Sequence, residues 1–232
     1  MAFLAVLTAT YKQFLVIFFL ILIHEIGHSL MALLFHVRVE KIIIYPLGGI
    51  SKFDMDLNIS PYKELWILIM GPIFQFLGYY ILILLFGSNY LFDLYHYTIL
   101  IFNLLPIYPL DGGKLLKIFF DFYLPYKYSF YLVIITSFLI VFITLIKTET
   151  IHINSIIIGG FLLVLIYKER KKIPLFYNKF LLERILNNYN FKNIKIINDK
   201  NSFYRNKKHL IKNKGVFISE KDYLEDLFKK KH

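Results

Sequence analysis

The sequence predicts an all-α polytopic membrane protein with about six transmembrane helices, the first short or truncated, and a small α+β tail. The chain of 232 residues is 57% hydrophobic and has a mean hydropathy of +0.57, values that soluble domains of this length seldom reach. Phe and Tyr are abundant, as they are at membrane interfaces. Because there is no cysteine, any metal site must use His, Asp or Glu side chains.

Five apolar segments are long enough to cross a bilayer, and they lie at residues 13–36, 62–86, 91–120, 128–146 and 151–167. Prolines and glycines interrupt the third of them. Residues 1–10 are too short to cross unaided, so we expect either a truncated first helix or a start upstream of Met1. They also lack the basic start of a signal peptide.

Basic residues cluster in alternate loops, which predicts an orientation. Two loops, at residues 87–93 and 147–150, hold one Lys between them. The other loops and the tail are rich in Lys and Arg, and the positive-inside rule places such segments in the cytoplasm. We therefore expect a multi-pass integral membrane protein with a cytoplasmic tail.

The charge divides the chain into a transmembrane domain, residues 1–167, and a basic cytoplasmic tail, residues 168–232. The tail holds 18 Lys and Arg against 7 Asp and Glu, whereas the rest is neutral. A helix at 180–189, strands in KNIKIIND and GVFIS, and a closing helix in YLEDLF are predicted. About 60 residues is marginal for an independent core, so a partner or a second copy in a homo-oligomer could be needed. Lysines beside a bilayer typically determine topology or contact anionic lipid, so we expect the lipid bilayer as partner and no nucleic acid.

Residues 37–53, VRVEKIIIYPLGGISKF, predict a membrane-associated β-hairpin. β-Branched residues and short-range alternation favour strands, and PLGG favours a turn. Exposed backbone is not tolerated in lipid, so such a hairpin would lie at the surface or line a wet cavity. An ordinary cytoplasmic loop is an equally open interpretation.

The segment HEIGH, residues 24–28, places three ionisable groups inside an apolar helix. Residues four apart share a helix face, so His24 and His28 can bind one metal ion. Glu25 lies about 100° further round, where it can act as the base that takes a proton from water. Gly27 allows another backbone to approach closely. Each ionisable group at bilayer depth costs a few kcal/mol, and Zn²⁺ would compensate all three.

A third ligand is expected from the interrupted segment NLLPIYPLDGG, residues 103–113. Asp111 lies about as many residues from the predicted cytoplasmic end of its segment as His28 does from the end of its own, which predicts a similar depth. The alternative is an N-cap role for Asp111. Asn103 could hydrogen-bond a substrate peptide or simply pack between helices. The stretch GPIFQFLG, residues 71–78, predicts close helix packing, and the remaining histidines are given no role.

HEIGH, PLGG, the Gly-Pro pair at 71–72 and NLLPIYPLDGGKLL together resemble the site-2 protease family of intramembrane zinc metalloproteases. The resemblance implies that His24, His28 and Asp111 ligate zinc, that Glu25 is the general base, and that Asn103 and Pro109 lie near the substrate. It implies hydrolysis of a peptide bond in or beside the membrane, with the hairpin pairing with an unwound substrate strand.

The resemblance extends to members that release the mother-cell sigma factor K from its pro-form during sporulation. It therefore implies pro-sigma-K as a protein substrate, membrane regulatory proteins as partners, and a location in a bacterial inner membrane or a mother-cell or forespore membrane. The short tail would be a reduced relative of the nucleotide-sensing CBS domain.

A membrane metal transporter or metal-binding protein that uses His24, His28 and Asp111 is the competing hypothesis. A transporter should carry further carboxylates and histidines along a path through its spans. The sequence offers one compact cluster, which favours the enzyme.

Overall fold

The structure is a computed structural model that describes residues 11–45, 48–54, 56–147, 153–191, 193–213 and 216–229. The short segment expected at residues 1–10 and the turn residues Pro46 and Leu47 lie outside the described residues. The side chains of the hairpin strands from Glu40 onward are likewise not described.

Within the described residues the chain forms seven helices and five strands. The helices are α1 Tyr11–Leu34, α2 Pro61–Phe86, α3 Tyr90–Leu104, α4 Asp111–Tyr123, α5 Tyr126–Lys147, α6 Ile153–Leu186 and α7 Glu220–Lys229. The strands are β1 Arg38–Tyr45, β2 Gly48–Asp54, β3 Ile194–Ile197, β4 Lys208–Asn213 and β5 Val216–Ser219.

Three of these helices are long and apolar enough to cross a bilayer, namely Lys12–Leu34, Pro61–Phe86 and Tyr126–Ile146. They establish an integral membrane protein, while the full count of six spans stays a prediction. The expected interruption of the third apolar segment is confirmed, since α3 ends at Leu104 and α4 begins at Asp111. The helix that begins at Ile153 does not stop where its apolar segment ends, and it runs on to Leu186.

The chain folds as two compact units, of which the first contains α1, the hairpin, α3 and nearly all of α2. Strands β1 and β2 pair antiparallel, from Arg38 opposite Asp54 to Tyr45 opposite Gly48, and both strands contact α1. A buried cluster of Leu20, Ile21, Leu82 and Ile99 joins the three helices of this unit. The membrane position of the hairpin stays a prediction.

The second unit contains residues 56–61, helices α4 to α6 and the tail. Its three-stranded sheet has the order β3-β4-β5, with β3 parallel to β4 and β4 antiparallel to β5. Helix α7 packs on β4, β5 and α6. Strand β4 was not expected from the sequence, because its Lys and Asn residues have low strand propensity. The division at residues 167 and 168 falls inside α6, and it stays a prediction about domains.

Buried Arg184, near the end of α6, organises the tail. Its guanidinium donates to the carbonyl oxygen of Tyr204 at 2.8 Å and forms an ion pair with Glu220. Glu220 also accepts from the backbone N–H of His209 at 2.8 Å. These are buried groups, so each needs the others as partners. One arginine therefore connects α6, the sheet and the first turn of α7.

The same end of α6 holds residues 56–61, the segment between β2 and α2. Arg184 Nε donates to Asn58 Oδ1 at 2.8 Å, and the side-chain nitrogen of Asn58 donates to the carbonyl oxygen of Phe180 at 3.0 Å. The backbone N–H of Leu57 donates to Glu183 Oε2 at 2.8 Å. These three hydrogen bonds fasten a short connecting segment to the end of α6.

Two carboxyl groups lie within this attachment. Burial and a hydrogen bond to Asp56 raise the pKa of Glu183 to about 7. Burial acts to raise the pKa of Asp56 as well, but hydrogen bonds with Glu183, Tyr189 and the Asn58 backbone outweigh it and lower that pKa. The pair therefore shares one proton near neutral pH.

We predict that the attachment of residues 56–61 weakens as the pH rises from 6 to 8. The folded pKa of Glu183 is above its ordinary value, so its stabilising contribution is complete below about 4.5 and is lost as the pH passes about 7. Lys179 Nζ, 3.7 Å from the Glu183 carboxylate, only partly offsets this loss because it is half exposed. Hydrogen–deuterium exchange of the peptide covering Leu57 and Asn58, corrected for intrinsic exchange, measures the effect.

Glu183→Gln is the matched control, because it keeps the shape and removes the titration. Exchange in this variant should show no excess change between pH 6 and pH 8. An equal pH response in both proteins would contradict the prediction.

Candidate metal centre

His24, Glu25 and His28 form one buried cluster on α1. Their side-chain nitrogen and carboxylate atoms lie within 4.8 Å of one another, and this is the one group of three possible ligands found in the part of the chain that the structure describes. The residues are 1%, 3% and 3% exposed. Three ionisable groups are thus removed together from solvent, as the sequence predicts.

The hydrogen bonds of the two imidazoles determine which ring nitrogens carry hydrogen. His28 Nδ1 lies 2.8 Å from the carbonyl oxygen of Ile67, which can only accept. His24 Nδ1 lies 2.9 Å from Gln75 Oε1, and the amide nitrogen of Gln75 donates at 2.9 Å to the carbonyl oxygen of His96. Both Nδ1 atoms are therefore donors, and in the neutral rings both Nε2 atoms carry a lone pair.

These two Nε2 atoms are 3.1 Å apart, and the rings meet edge to face with centroids separated by 4.7 Å. Two lone pairs at this distance repel each other unless a cation or a proton lies between them. Nitrogens ~2.05 Å from a tetrahedral zinc ion lie about 3.3 Å apart, close to the observed separation. The donors present fit a zinc ion.

Helix α2 approaches this cluster closely because two glycines leave room. A Cβ atom at Gly27 would lie 2.4 Å from the carbonyl oxygen of Met70, so the close backbone approach expected there is confirmed. A Cβ at Gly71 would lie 2.3 Å from the His28 ring and 2.8 Å from His24 Nε2. The imidazoles therefore pack directly on the backbone of α2.

The stretch at residues 71–78 has a role beyond the helix packing expected from the sequence. Gly78 does serve packing, since a Cβ there would lie 2.9 Å from the side chain of Ile23. Gly71 and Gln75, however, contact the imidazoles. Their spacing of four residues and the cost of burying an amide in an apolar helix were the signals in the sequence that could have identified them.

The interrupted segment holds two other predicted site residues, in the second unit. Asp111 is the first residue of α4 and is buried, and Leu110 is the N-cap residue, so the N-cap role considered for Asp111 is wrong. Lys114 Nζ donates to Asp111 Oδ1 at 2.9 Å. The loop before it contains a cis peptide bond between Tyr108 and Pro109. Ligation by Asp111 stays a prediction.

Tyr108, in the middle of loop 105–110, has close backbone contacts with two helices. The N–H of Tyr108 donates to Ser137 Oγ on α5 at 2.8 Å. A Cβ at Gly113 would lie 2.3 Å from the Tyr108 nitrogen, so the loop folds directly over the first turn of α4. The loop that precedes Asp111 is thereby held against α4 and α5.

The structure brings together His24, Glu25 and His28. The substrate-binding roles of Asn103 and Pro109 stay predictions. Asn103 is buried near the end of α3. His36 is exposed. His96 and His209 are fully buried, which their places in the sequence did not indicate.

Comparison with known proteins identifies the family to which the chain belongs. Residues 12–94 match the model of peptidase family M50. The chain is 31% identical over 191 residues to stage IV sporulation protein FB of Bacillus subtilis, covering 78% of this chain and 66% of that protein. It is 33% identical over 114 residues to a zinc metalloprotease of Methanocaldococcus jannaschii, covering 45% of this chain and 33% of that protein. A site-2 protease structure from M. jannaschii aligns with a TM-score of 0.56 and 24% identity over 72% of this chain and 82% of that chain, and it establishes the fold.

A helical membrane fold with a buried His-Glu-His cluster defines a membrane-embedded metallopeptidase class. The chain belongs to peptidase family M50, that of the site-2 proteases. The matched residues include nearly all of α1, which carries the cluster, and all of α2, which contacts its two imidazoles. The chain spans about two thirds of the length of the Bacillus protein and one third of that of the Methanocaldococcus protein.

We predict that Gly71→Ala displaces the imidazoles, lowers zinc content and destabilises the protein. The added methyl group would overlap the His28 ring, and overpacking of this kind costs about 1–3 kcal/mol. Metal analysis of the purified protein and thermal unfolding in detergent measure both effects.

Gly160→Ala is the matched control, because nothing lies within 4 Å of a Cβ at that exposed helical position. It should leave zinc content unchanged. Equal zinc content and stability in the two variants would contradict the proposed contact.

Proposed function

We propose that this protein is an intramembrane zinc metalloprotease that hydrolyses a peptide bond of a protein substrate in or near the bilayer. One observation carries the proposal most directly. The Nε2 atoms of His24 and His28 are 3.1 Å apart on a membrane-spanning helix, with Glu25 beside them and with both Nδ1 atoms engaged as donors. Family membership supports the same conclusion.

His24, His28 and Asp111 would hold the zinc ion. Two neutral imidazoles and a carboxylate are an ordinary ligand set for catalytic zinc, and they leave a fourth position open. The metal when bound acts as a Lewis acid on a carbonyl group and increases the acidity of water. The burial of the cluster places it in surroundings of low dielectric constant, which strengthens its electrostatic interactions.

Glu25 would act as the general base and then as the general acid. Its carboxylate accepts a proton from the attacking water and later returns it to the amine of the leaving peptide. Its backbone is part of a regular helical turn, and its carbonyl oxygen accepts from Ser29 Oγ at 2.8 Å. The carboxylate thus projects from a stable helical position.

Substrate residues are proposed around this chemistry. Asn103 would hydrogen-bond the substrate backbone, and Pro109 would border the same path. A two-stranded hairpin leaves backbone groups on its outer edges, and an extended substrate segment could pair with one of them. Such pairing would unwind a helical substrate before cleavage.

The substrate we propose is a membrane-associated pro-sigma factor of sporulation, pro-sigma-K. Support comes from the name of the Bacillus relative, which is 31% identical to this chain. The basic tail would lie in the cytoplasm, as the positive-inside rule requires. A single cluster of metal ligands in the described residues favours hydrolysis over metal transport.

We predict that Glu25→Gln retains zinc and loses proteolysis. The amide keeps the shape of the side chain but cannot accept the proton from water. Co-expression with a candidate pro-sigma factor, scored as a size shift on an immunoblot, measures cleavage, and metal analysis measures zinc. Cleavage by Glu25→Gln at the rate of the parent protein would refute the assignment of the base.

We predict that His24→Ala and Asp111→Ala each lose zinc. Removal of one of three protein ligands leaves a site that cannot complete a tetrahedral set. His36→Ala, which removes an exposed histidine that follows α1, should keep it. If Asp111→Ala retains zinc while His24→Ala loses it, Asp111 is not a ligand.

A further inference from the structure

We propose that Gln75 is a positioning residue that holds the His24 imidazole with Nε2 turned toward the metal. This inference rests on the proposed zinc site at His24 and His28. Its basis is a chain of two hydrogen bonds, from His24 Nδ1 to Gln75 Oε1 at 2.9 Å and from Gln75 Nε2 to the carbonyl oxygen of His96 at 2.9 Å.

The orientation of the Gln75 amide follows from its partners. A backbone carbonyl oxygen can only accept, so the amide nitrogen must face His96 and the amide oxygen must face His24. An amide oxygen also only accepts, so His24 Nδ1 must be the donor. The backbone of α3 thereby determines, through one side chain of α2, the tautomer of a ring on α1.

Because Gln75 is buried, the loss of either of its two hydrogen bonds would cost free energy. Gln75 is fully buried in a membrane-spanning helix, where an amide without hydrogen bonds costs several kcal/mol. Each of its two polar atoms has a partner in the structure. An apolar side chain would fill the same space without the free-energy cost of burying an amide, so packing alone does not explain a glutamine here.

The two imidazoles are held by different means. His28 Nδ1 uses the carbonyl oxygen of Ile67, a backbone partner that a substitution cannot remove. His24 alone depends on a replaceable side chain. Gly71, one turn before Gln75, provides the space in which both rings lie, so α2 orients the pair with one backbone carbonyl, one glycine and one amide.

The expected size of the effect follows from other zinc sites. Groups that accept a hydrogen bond from a ligating histidine typically contribute about 10–100-fold in metal affinity or activity. They fix the ring orientation and increase the basicity of the ligating nitrogen. We expect loss of the Gln75 oxygen to have an effect of this size.

The test compares three variants of the full chain, purified in detergent. Gln75→Met keeps a similar length and removes the acceptor, whereas Gln75→Glu keeps an acceptor for His24 Nδ1. Leu82→Ala, two turns further along α2, opens the buried cluster away from the imidazoles and controls for general loosening. Zinc affinity is measured by competition with a chromogenic chelator, and thermal unfolding is recorded in parallel.

We expect Gln75→Met to bind zinc about 10–100-fold more weakly. Gln75→Glu should restore affinity to within a few-fold of the parent, and Leu82→Ala should lower the unfolding temperature without weakening zinc. Parent-like zinc affinity in folded Gln75→Met would overturn the proposal, and so would equal weakening in Leu82→Ala. Failure of Gln75→Glu to restore affinity, in a protein that still folds, would also overturn it.

His24→Ala separates this outcome from failure of the proposed function. If His24→Ala binds zinc like the parent, the metal site itself is wrongly assigned. If His24→Ala loses zinc while Gln75→Met does not, the metal site stands and only the role of Gln75 is refuted.

Discussion

The cost of placing ionisable groups in a nonpolar helix governs the arrangement of the first unit. Two imidazoles and a carboxylate on α1 are buried where water cannot solvate them. Each therefore needs a partner close at hand. The neighbouring helix meets this need with a carbonyl oxygen, an amide side chain and a glycine that lets its backbone come near. The groups that α2 presents to the two imidazoles follow from that one constraint.

The parts of the site that lie close in the sequence could be predicted from it. His24 and His28 share a face because helical geometry repeats every 3.6 residues, and no distant partner is needed to place them together. The interruption before Asp111 is equally local, since the closely spaced Pro106 and Pro109 lack the N–H groups that would continue the helix. Gly27 is an intermediate case, because its place beside the histidines is local whereas the backbone that approaches it, at Met70, lies on another helix.

The parts that depend on distant partners could not be predicted. His24 and Gln75 are 51 residues apart, and no periodicity relates an amide on one helix to a ring on another. The network of Arg184 likewise depends on segments that only folding brings together. Helix α6 was underestimated for a different reason. Hydropathy indicates where the apolar segment ends. The helix continues beyond that point because Lys, Arg and Glu have high helix propensity in water.

The length of α6 has a mechanical consequence. Thirty-four residues extend about 51 Å, well beyond a hydrocarbon layer of about 30 Å. The end of this helix carries the groups that form hydrogen bonds with residues 56–61. This segment continues into the hairpin on one side and into α2 on the other. Loss of these hydrogen bonds would therefore free a connecting segment that the covalent chain joins to both the hairpin and α2.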